Sequence, residues 1–568
     1  MRSFFSFVFA LAAASLVFAF TCSAVTAEPA ADNFDGGDGT ARNPYVVSSA
    51  AQLDLVRHYP RCHFIQSCDI DLGGYNGLRG ERRQDGTLVF RELSPAAPCF
   101  NGGNGWIPIG GADRIFAGHY DGGGFCISGL AVRNVRWAGL FDIVAEGAVV
   151  ENVAISSDAC ISGKDISGGV CAVNLGTVRK CSSSASLFSE GEGTSIGGVC
   201  GTSSGMIGEC SFDGFIKAAK SRNGAVGGVC GTAYSGALTN CSSTGTISFT
   251  GRKTDGGGIC GVSSCDIGRS FFNGKVHGVG VDVRCGGISG ITRGFAVWEC
   301  RSEGGVSGIA DDEIAYLGGI CGESDASRIF NCRNSGDVSG KGRNVWAGGV
   351  CGMARNKGGA LNCINSGNVA GNGKNVSVGG IVGLANKGMA ENSANLGRVT
   401  GRGISDSCAG GVCGEGNTES VLRACVSVGR VINSVSIAGY PCLTGGVCGY
   451  LNSGSSCNSS FFLCEGVKGI GLVQEAEGSA SGLVVSPGGG LALASDGKTP
   501  LASALSGVKG KDYLTWVEID GDGFRVCVPA IPSLEPLGFE GAAELVFSAV
   551  WKSPFGLCGK KTHTAALL

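Results

Sequence analysis

Charge is scarce in this chain. Only 16% of its residues are Asp, Glu, Lys or Arg, and 47 acidic groups nearly balance 44 basic ones for a net charge of −3. No basic face is implied, so nucleic acid is a poor partner. Proline is scarce too, at 13 in 568 residues, and the 102 glycines follow no Gly-X-Y period, which excludes collagen. Histidine occurs five times, at His58, His63, His119, His277 and His563, and none opens His-Glu-x-x-His. A zinc-protease helix, with two ligands and a base on one face, is not encoded. No apolar run after the N-terminal one is long enough to span a bilayer, so no membrane span is expected in the mature chain.

Glycine and apolar residues are what the chain has in quantity. The hydrophobic fraction is 43%, too high for a disordered chain. Glycine-rich yet apolar sequence implies many tight turns between short strands. At the N-terminus, Arg2, the apolar stretch from Phe4 to Phe20, and Val25-Thr26-Ala27 before Glu28 read as a signal peptide over 1–27. An uncleaved anchor is the alternative. A lipid-attachment site at Cys22 fits less well, because no Leu precedes it at the required place. Secretion or cell-surface display is the expected location. Of the 29 cysteines, losing Cys22 with the leader leaves 28, an even number consistent with disulfides in an exported protein.

The dominant feature is an internal repeat. A Gly-Gly-Val/Ile core recurs with its second glycine at Gly169, Gly198, Gly228, Gly258, Gly287, Gly319, Gly349, Gly380, Gly411 and Gly446. The steps are close to 30 residues throughout. Each copy continues with a phrase such as Asn331-Cys332-Arg333-Asn334-Ser335-Gly336-Asp337-Val338, repeated from Asn362-Cys363 to Val369 and more loosely from Glu299-Cys300 to Val306. One unit therefore holds about three short apolar pieces, none long enough for a helix. Three short strands bury no face alone, but stacked coil on coil they do. A propeller blade needs about 40–50 residues and is disfavoured by the shorter step. The expected fold is all-β, a right-handed parallel β-solenoid of coils about 30 residues long with short helical caps. The helices are expected from Ala50 to Arg57 and from Leu501 to Ser506. The expected division is a cap module over 28–100, the solenoid over 101–465, a C-terminal capping segment over 466–535 and a tail over 536–568.

Most repeats carry one cysteine in each half, giving candidate pairs Cys171/Cys181, Cys200/Cys210, Cys230/Cys241, Cys321/Cys332, Cys351/Cys363 and Cys413/Cys425. Around Gly380 both positions change together, to Val382 and Ser393. Elsewhere Ser270 and Ser289 replace a cysteine while Cys265 and Cys285 appear nearby. Such joint loss and local replacement favour disulfides within repeats, extended to Cys260–Cys265, Cys285–Cys300 and Cys448–Cys457. Stacked buried thiols and pairing between neighbouring coils are the competing readings. Outside the array, Cys62 with Cys68 and Cys527 with Cys558 are further candidates.

These phrases resemble the bacterial GLUG-motif proteins, named for Gly-Leu-x-Gly. Gly139-Leu140-Phe141-Asp142, followed by Gly147 to Val153, opens like the motif, with Asp142 in place of the final glycine. Later copies read Gly-Val-Cys-Gly or Gly-Ile-Cys-Gly. Gly37 to Thr40, Asn43-Pro44-Tyr45, Ala51-Gln52-Leu53, Asp69 to Leu72, Trp106 to Gly110 and Phe116 to Gly122 resemble the opening modules of such arrays. Trp516 through Asp522, ending Pro532-Ser533-Leu534, resembles the closing segment. The cysteine content and the polar insert Arg79 to Glu92, which reads as a solvated loop, depart from the family. The resemblance implies a secreted or surface β-solenoid, sometimes found beside an immunoglobulin-A-cleaving metalloprotease, and suggests an adhesion-type scaffold.

Residues able to carry chemistry are few. Gly201-Thr202-Ser203-Ser204-Gly205 matches Gly-x-Ser-x-Gly, but a nucleophile elbow needs a following helix, which the repeat does not offer. Asp311-Asp312-Glu313 is the best acidic candidate for a polysaccharide lyase or hydrolase, against the plainer reading of a solvated loop. Asp520-Gly521-Asp522-Gly523 lacks the remaining ligands of a calcium loop. No catalytic, cofactor or metal site is therefore expected. The favoured expectation is a non-enzymatic binding scaffold for an extracellular ligand, a host protein or a glycan. A structural surface protein and a β-helix enzyme acting on polysaccharide are the alternatives.

Overall fold

The computed structural model describes residues 33–463 without a break and further segments between 467 and 531. The expected signal peptide over 1–27, the tail over 536–568 and Cys558 lie outside the described residues. The chain forms a parallel β-solenoid of about eleven turns. At about 4.8 Å per coil the stack is about 50 Å long.

Each coil visits three faces. In the coil that follows Gly349, Cys351–Arg355 lies on one face, Gly359–Leu361 and Ile364–Asn365 on a second, and Val369–Gly379 on the third. Every one of these strands pairs in register with its equivalent one repeat later: Cys351 with Val382, Ala360 with Ala390, Ile364 with Ala394, and Val369 with Val399. Alternation sends Ala347, Val378 and Ala409 into the core and their neighbours outward. The third apolar piece is longer than the sequence suggests. In the later coils it runs unbroken into the next Gly-Gly core, as in Val338–Gly348.

Two corner chemistries explain the repeat phrases. Asn331, Asn362 and Asn392 are left-handed, with φ of 56°, 55° and 45°, a region Asn tolerates better than most residues. Their side chains then bond along the stack, Asn362 Nδ2 donating to Asn331 Oδ1 at 3.0 Å and Asn392 Nδ2 to Asn362 Oδ1 at 2.8 Å. The second glycine of each core is fixed by close approach. A Cβ on Gly349 would stand 2.2 Å from both the Gly380 carbonyl oxygen and Asn365 Cγ.

The cysteines correct the expected pairing. Cys171/Cys181, Cys200/Cys210, Cys230/Cys241, Cys260/Cys265, Cys285/Cys300, Cys321/Cys332, Cys351/Cys363, Cys413/Cys425 and Cys448/Cys457 are all free thiols, as are Cys62 and Cys68. The two cysteines of a repeat fall in two different columns, one on each side of the coil. Equivalent cysteines meet between coils instead: Cys171 Sγ lies 3.4 Å from Cys200 Sγ, and Cys181 contacts Cys210.

In the first column the thiols from Cys230 onward donate to the carbonyl two residues on, as Cys321 does to Glu323 (2.9 Å) and Cys351 to Met353 (3.1 Å). In the second column it donates to the carbonyl two residues back, as Cys363 does to Leu361 (3.3 Å). Ser289 makes the first bond to Ile291 at 3.0 Å, and Ser270 and Ser393 make the second to Gly268 and Glu391 at 3.0 and 2.7 Å. Serine thus replaces cysteine because either can satisfy the same buried carbonyl. Cys285 is no substitute for the missing column member, since it stacks between Gly256 and Leu317 in another column.

Two further segments differ from expectation. Arg79 to Glu92 is no solvated loop. Leu78–Arg82 and Leu88–Glu92 form an antiparallel hairpin folded over the long-strand face, with the Arg82 guanidinium 4.4 Å from the Phe215 ring centre and Lys217 Nζ donating to the Asp85 carbonyl. The C-terminal segment does more than close the end. Ile470–Val473 and Glu477–Gly482 extend the stack, while the helix Leu501–Ser506 and the hairpin Trp516–Pro529 fold back onto its flank. There the outward column is apolar, Ile364, Ala394 and Val426, and these residues cluster with Leu501, Leu505 and Trp516. Trp516 Nε1 donates to Asn392 Oδ1 at 2.6 Å. At the N-terminal end the helix Ala50–Leu55, capped by Ser49, puts Leu53 into the core.

Candidate functional site

Just before each Gly-Gly core the long strand presents one residue outward, and two residues after the core cysteine position the next strand presents another. Because the chain folds sharply at the glycines, these two columns face each other in a crease running along the rod. Ser195 Oγ and Thr232 Oγ1 meet across it at 2.8 Å, and Ser377 Oγ donates to Glu415 Oε2 at 2.8 Å. The first column reads Ser195, Ala225, Asp255, Arg284, Tyr316, Trp346, Ser377, Cys408. The second reads Thr202, Thr232, Val262, Ile291, Glu323, Met353, Leu384, Glu415.

Midway along, the crease changes from hydroxyls to charge and rings. Arg284 bonds back to Asp255 (3.2 Å) and forward to Glu323, and Arg355 pairs with Glu323 (2.8 Å) and Asp325 (2.8 Å). The Arg284 guanidinium lies 4.7 Å from the Tyr316 ring centre, and Trp346 meets Tyr316 edge-on at 5.0 Å. Glu323 is 1% exposed and pairs with both arginines. Burial pushes the Asp255 carboxyl up to about 6 against the pull of Arg284, and pushes the Tyr316 phenol up to about 12. Burial also opposes the charge of Arg284, but the carboxylates of Asp255 and Glu323 outweigh it and hold the guanidinium more firmly protonated. The result is a rigid polar and aromatic patch with every guanidinium braced by a carboxylate. Arg284, Trp346 and Arg355 are its partly exposed members.

The acidic residues nominated from sequence are elsewhere. Asp311 and Asp312 are exposed where the strand register shifts between Ala310 and Ile314, and Glu313 lies 4.0 Å from Arg252, outside the Arg284 network. Ser203 is buried, its strand continues into a turn and another strand, and its hydroxyl bonds the Gly205 carbonyl at 3.3 Å. Asp520 and Gly521 end a strand, and Asp522 and Gly523 lie outside the described residues. Among the described residues no group of three or more His, Cys, Asp or Glu could hold a metal ion, and no helix is long and apolar enough to cross a membrane. Sequence reading missed the Asp255–Arg284–Glu323 network because its members lie far apart in the chain. The available signal was a change of residue type at a fixed offset from the repeated glycines.

A family model described as the GLUG motif matches residues 222–248, within the array whose ten Gly-Gly cores set the coils. Those residues carry the GLUG motif. Over 129 residues the chain is 35% identical to a protein of Evansella cellulosilytica described as a Gly-rich membrane protein, covering 22% of this chain and 12% of that one. Over 229 residues it is 28% identical to Halomucin of Haloquadratum walsbyi, covering 39% of this chain and 2% of that one. The match thus spans only a small part of either relative. A solved structure from Bacteroides ovatus, described as an immunoglobulin A1 protease, aligns over 87% of this chain and 94% of its own at 14% identity, with a TM-score of 0.24.

Proposed function

We propose that this GLUG-repeat rod is displayed outside the cell and acts as a non-catalytic, adhesion-type binding scaffold for an extracellular ligand, a host protein or a glycan. The observation that carries this reading is the contrast between the inner and outer columns. The inward glycines repeat without change from coil to coil, since any Cβ would strike the next coil. The column beside them, which lines the crease, runs Ser195, Ala225, Asp255, Arg284, Tyr316, Trp346, with no residue type kept and with Arg284 and Trp346 partly exposed. A fixed frame presenting a varied face is how repeat solenoids make binding surfaces. The names of the two relatives, a membrane protein and Halomucin, support display at a surface.

The test is a binding screen of the full chain on glycan arrays, matrix proteins and whole cells, run beside a release assay on a polysaccharide panel. Saturable binding weakened by Trp346→Ala, with no polysaccharide released, is expected. Release that Asp312→Asn or Asp255→Asn abolishes would establish the enzyme alternative. No binding at all would leave a structural rod.

A further inference from the structure

Among the described residues the C-terminal segment packs on the paired-strand face over the later coils, where the outward column is Ile364, Ala394 and Val426. One and two coils earlier the same column holds Arg333 and Arg301, in register. Arg333 is 8% exposed, yet its Nε has no hydrogen-bond partner. Glu303, the acid acting on it, is already paired with Arg301, whose own Nε is also unpartnered. Burial, with Arg301 adding repulsion, lowers the Arg333 guanidinium to about 10. A buried cation without a counter-ion is costly, unlike Arg284, which two carboxylates brace.

Rings stand beside the neighbouring arginines Arg301 and Arg269. Trp298 and Phe330 are register partners on the same face, three residues before Arg301 and Arg333 and just ahead of the left-handed corner residues Glu299 and Asn331. Phe271 lies 5.7 Å from the Arg301 guanidinium, and Arg269 lies 4.7 Å from the Trp298 ring centre. Three successive coils thus offer rings and guanidiniums at one repeat spacing.

We propose that this strip binds an acidic polysaccharide, with a sugar carboxylate pairing to Arg333 and sugar rings lying on Trp298 and Phe330. The inference rests on the reading that the rod binds an extracellular ligand, and it places a second site on another face, apart from the crease. The planar fork of a guanidinium matches a carboxylate bidentately. Aromatic faces take the C–H faces of sugar rings. A track repeating every coil suits a polymer that presents the same groups at regular intervals.

The test uses the full chain and polygalacturonate oligosaccharides, with the carboxyl-reduced form of the same polymer, dextran sulfate and oligo-dT as comparison arms. Polygalacturonate is expected to bind and the reduced form not to. Arg333→Met should weaken binding tenfold or more and Trp298→Ala several-fold, while Lys341→Ala on the long-strand face should change nothing. Without ligand, Arg333→Met should melt no lower than the parent chain, because an apolar side chain replaces an unpaired charge. Loss of binding is then not loss of fold. Undiminished binding by Arg333→Met, equal binding of the reduced polymer, or a preference for oligo-dT overturns the proposal. Tighter binding of dextran sulfate with the same dependence on Arg333 overturns the carboxylate assignment. A different ligand bound regardless of Arg333 overturns this site and leaves the binding reading standing. Failure of every ligand in both screens overturns both.

Discussion

Replacing Cys363 tests the thiol columns against any cross-linked alternative. In the structure the Cys363 thiol donates to the Leu361 carbonyl at 3.3 Å inside a fully buried corner. One coil later Ser393 makes the same bond to Glu391 at 2.7 Å, so the site already accepts a hydroxyl. Cys363→Ser keeps the donor and should cost no more than about 1 kcal/mol. Cys363→Ala removes the donor and leaves a small void, and should cost about 1–2 kcal/mol. A disulfide to Cys351 would behave differently. Its loss typically costs about 2–5 kcal/mol whichever cysteine is replaced and whatever replaces it. The assay is urea unfolding of the full chain with and without reductant, read by hydrogen exchange at the corner amides so that local opening is separated from the whole array. Free thiols predict midpoints that reductant does not move and a smaller loss for Ser than for Ala. They also predict that alkylation reaches the ladder cysteines only in denaturant, because burial pushes thiols such as Cys321 up to about 12 and denies them the reactive thiolate. A midpoint lowered by reductant, with equal losses for Cys351→Ser, Cys363→Ser and Cys363→Ala, would refute the reasoning.

Gly349→Ala should destabilise the array by at least about 2–3 kcal/mol, checked by thermal unfolding, since its Cβ meets backbone and side chain at 2.2 Å and neither coil can retreat without breaking register. Asn392→Ala removes the partner of the Trp516 indole and of the Leu514 backbone. It should free the C-terminal segment to limited proteolysis while exchange protection of the coils is kept. Asp255 gives a pH dependence. Its carboxyl is raised to about 6 in the fold, so the native state holds the proton more tightly than the unfolded chain. Stability around Arg284 should therefore fall as pH rises from about 4 to 6 and stay level above. Asp255→Asn should flatten that slope in hydrogen-exchange measurements.

The solenoid itself was legible because its cause is local and repeated. Glycines recurring every 30 residues or so, an Asn-Cys corner and three short apolar pieces leave stacking as the way to bury every face. The left-handed φ of Asn362 shows why Asn was written there. Cysteine pairing was not legible. The losses at Ser270, Ser289 and Ser393 looked like the signature of a bond, whereas these serines share the thiols' hydrogen-bond role at a buried carbonyl that no sequence displays. The candidate site was hidden for a related reason. Asp255, Arg284 and Glu323 are separated by a whole coil each, and Asp311-Asp312-Glu313 drew notice only because its charges are adjacent in the chain. Likewise the insert Arg79 to Glu92 looked like solvent-facing loop until the fold laid its hairpin over Phe215.

Sequence alone thus determined the coil, its period and its glycine corners, because these depend on contacts between a residue and its own copies one repeat away. Only the tertiary structure decided which thiols meet, which outward columns face each other and which flank the C-terminal segment covers. Those depend on the lateral placement of columns around the coil and on how sharply the chain folds at each corner, and a one-dimensional period carries neither.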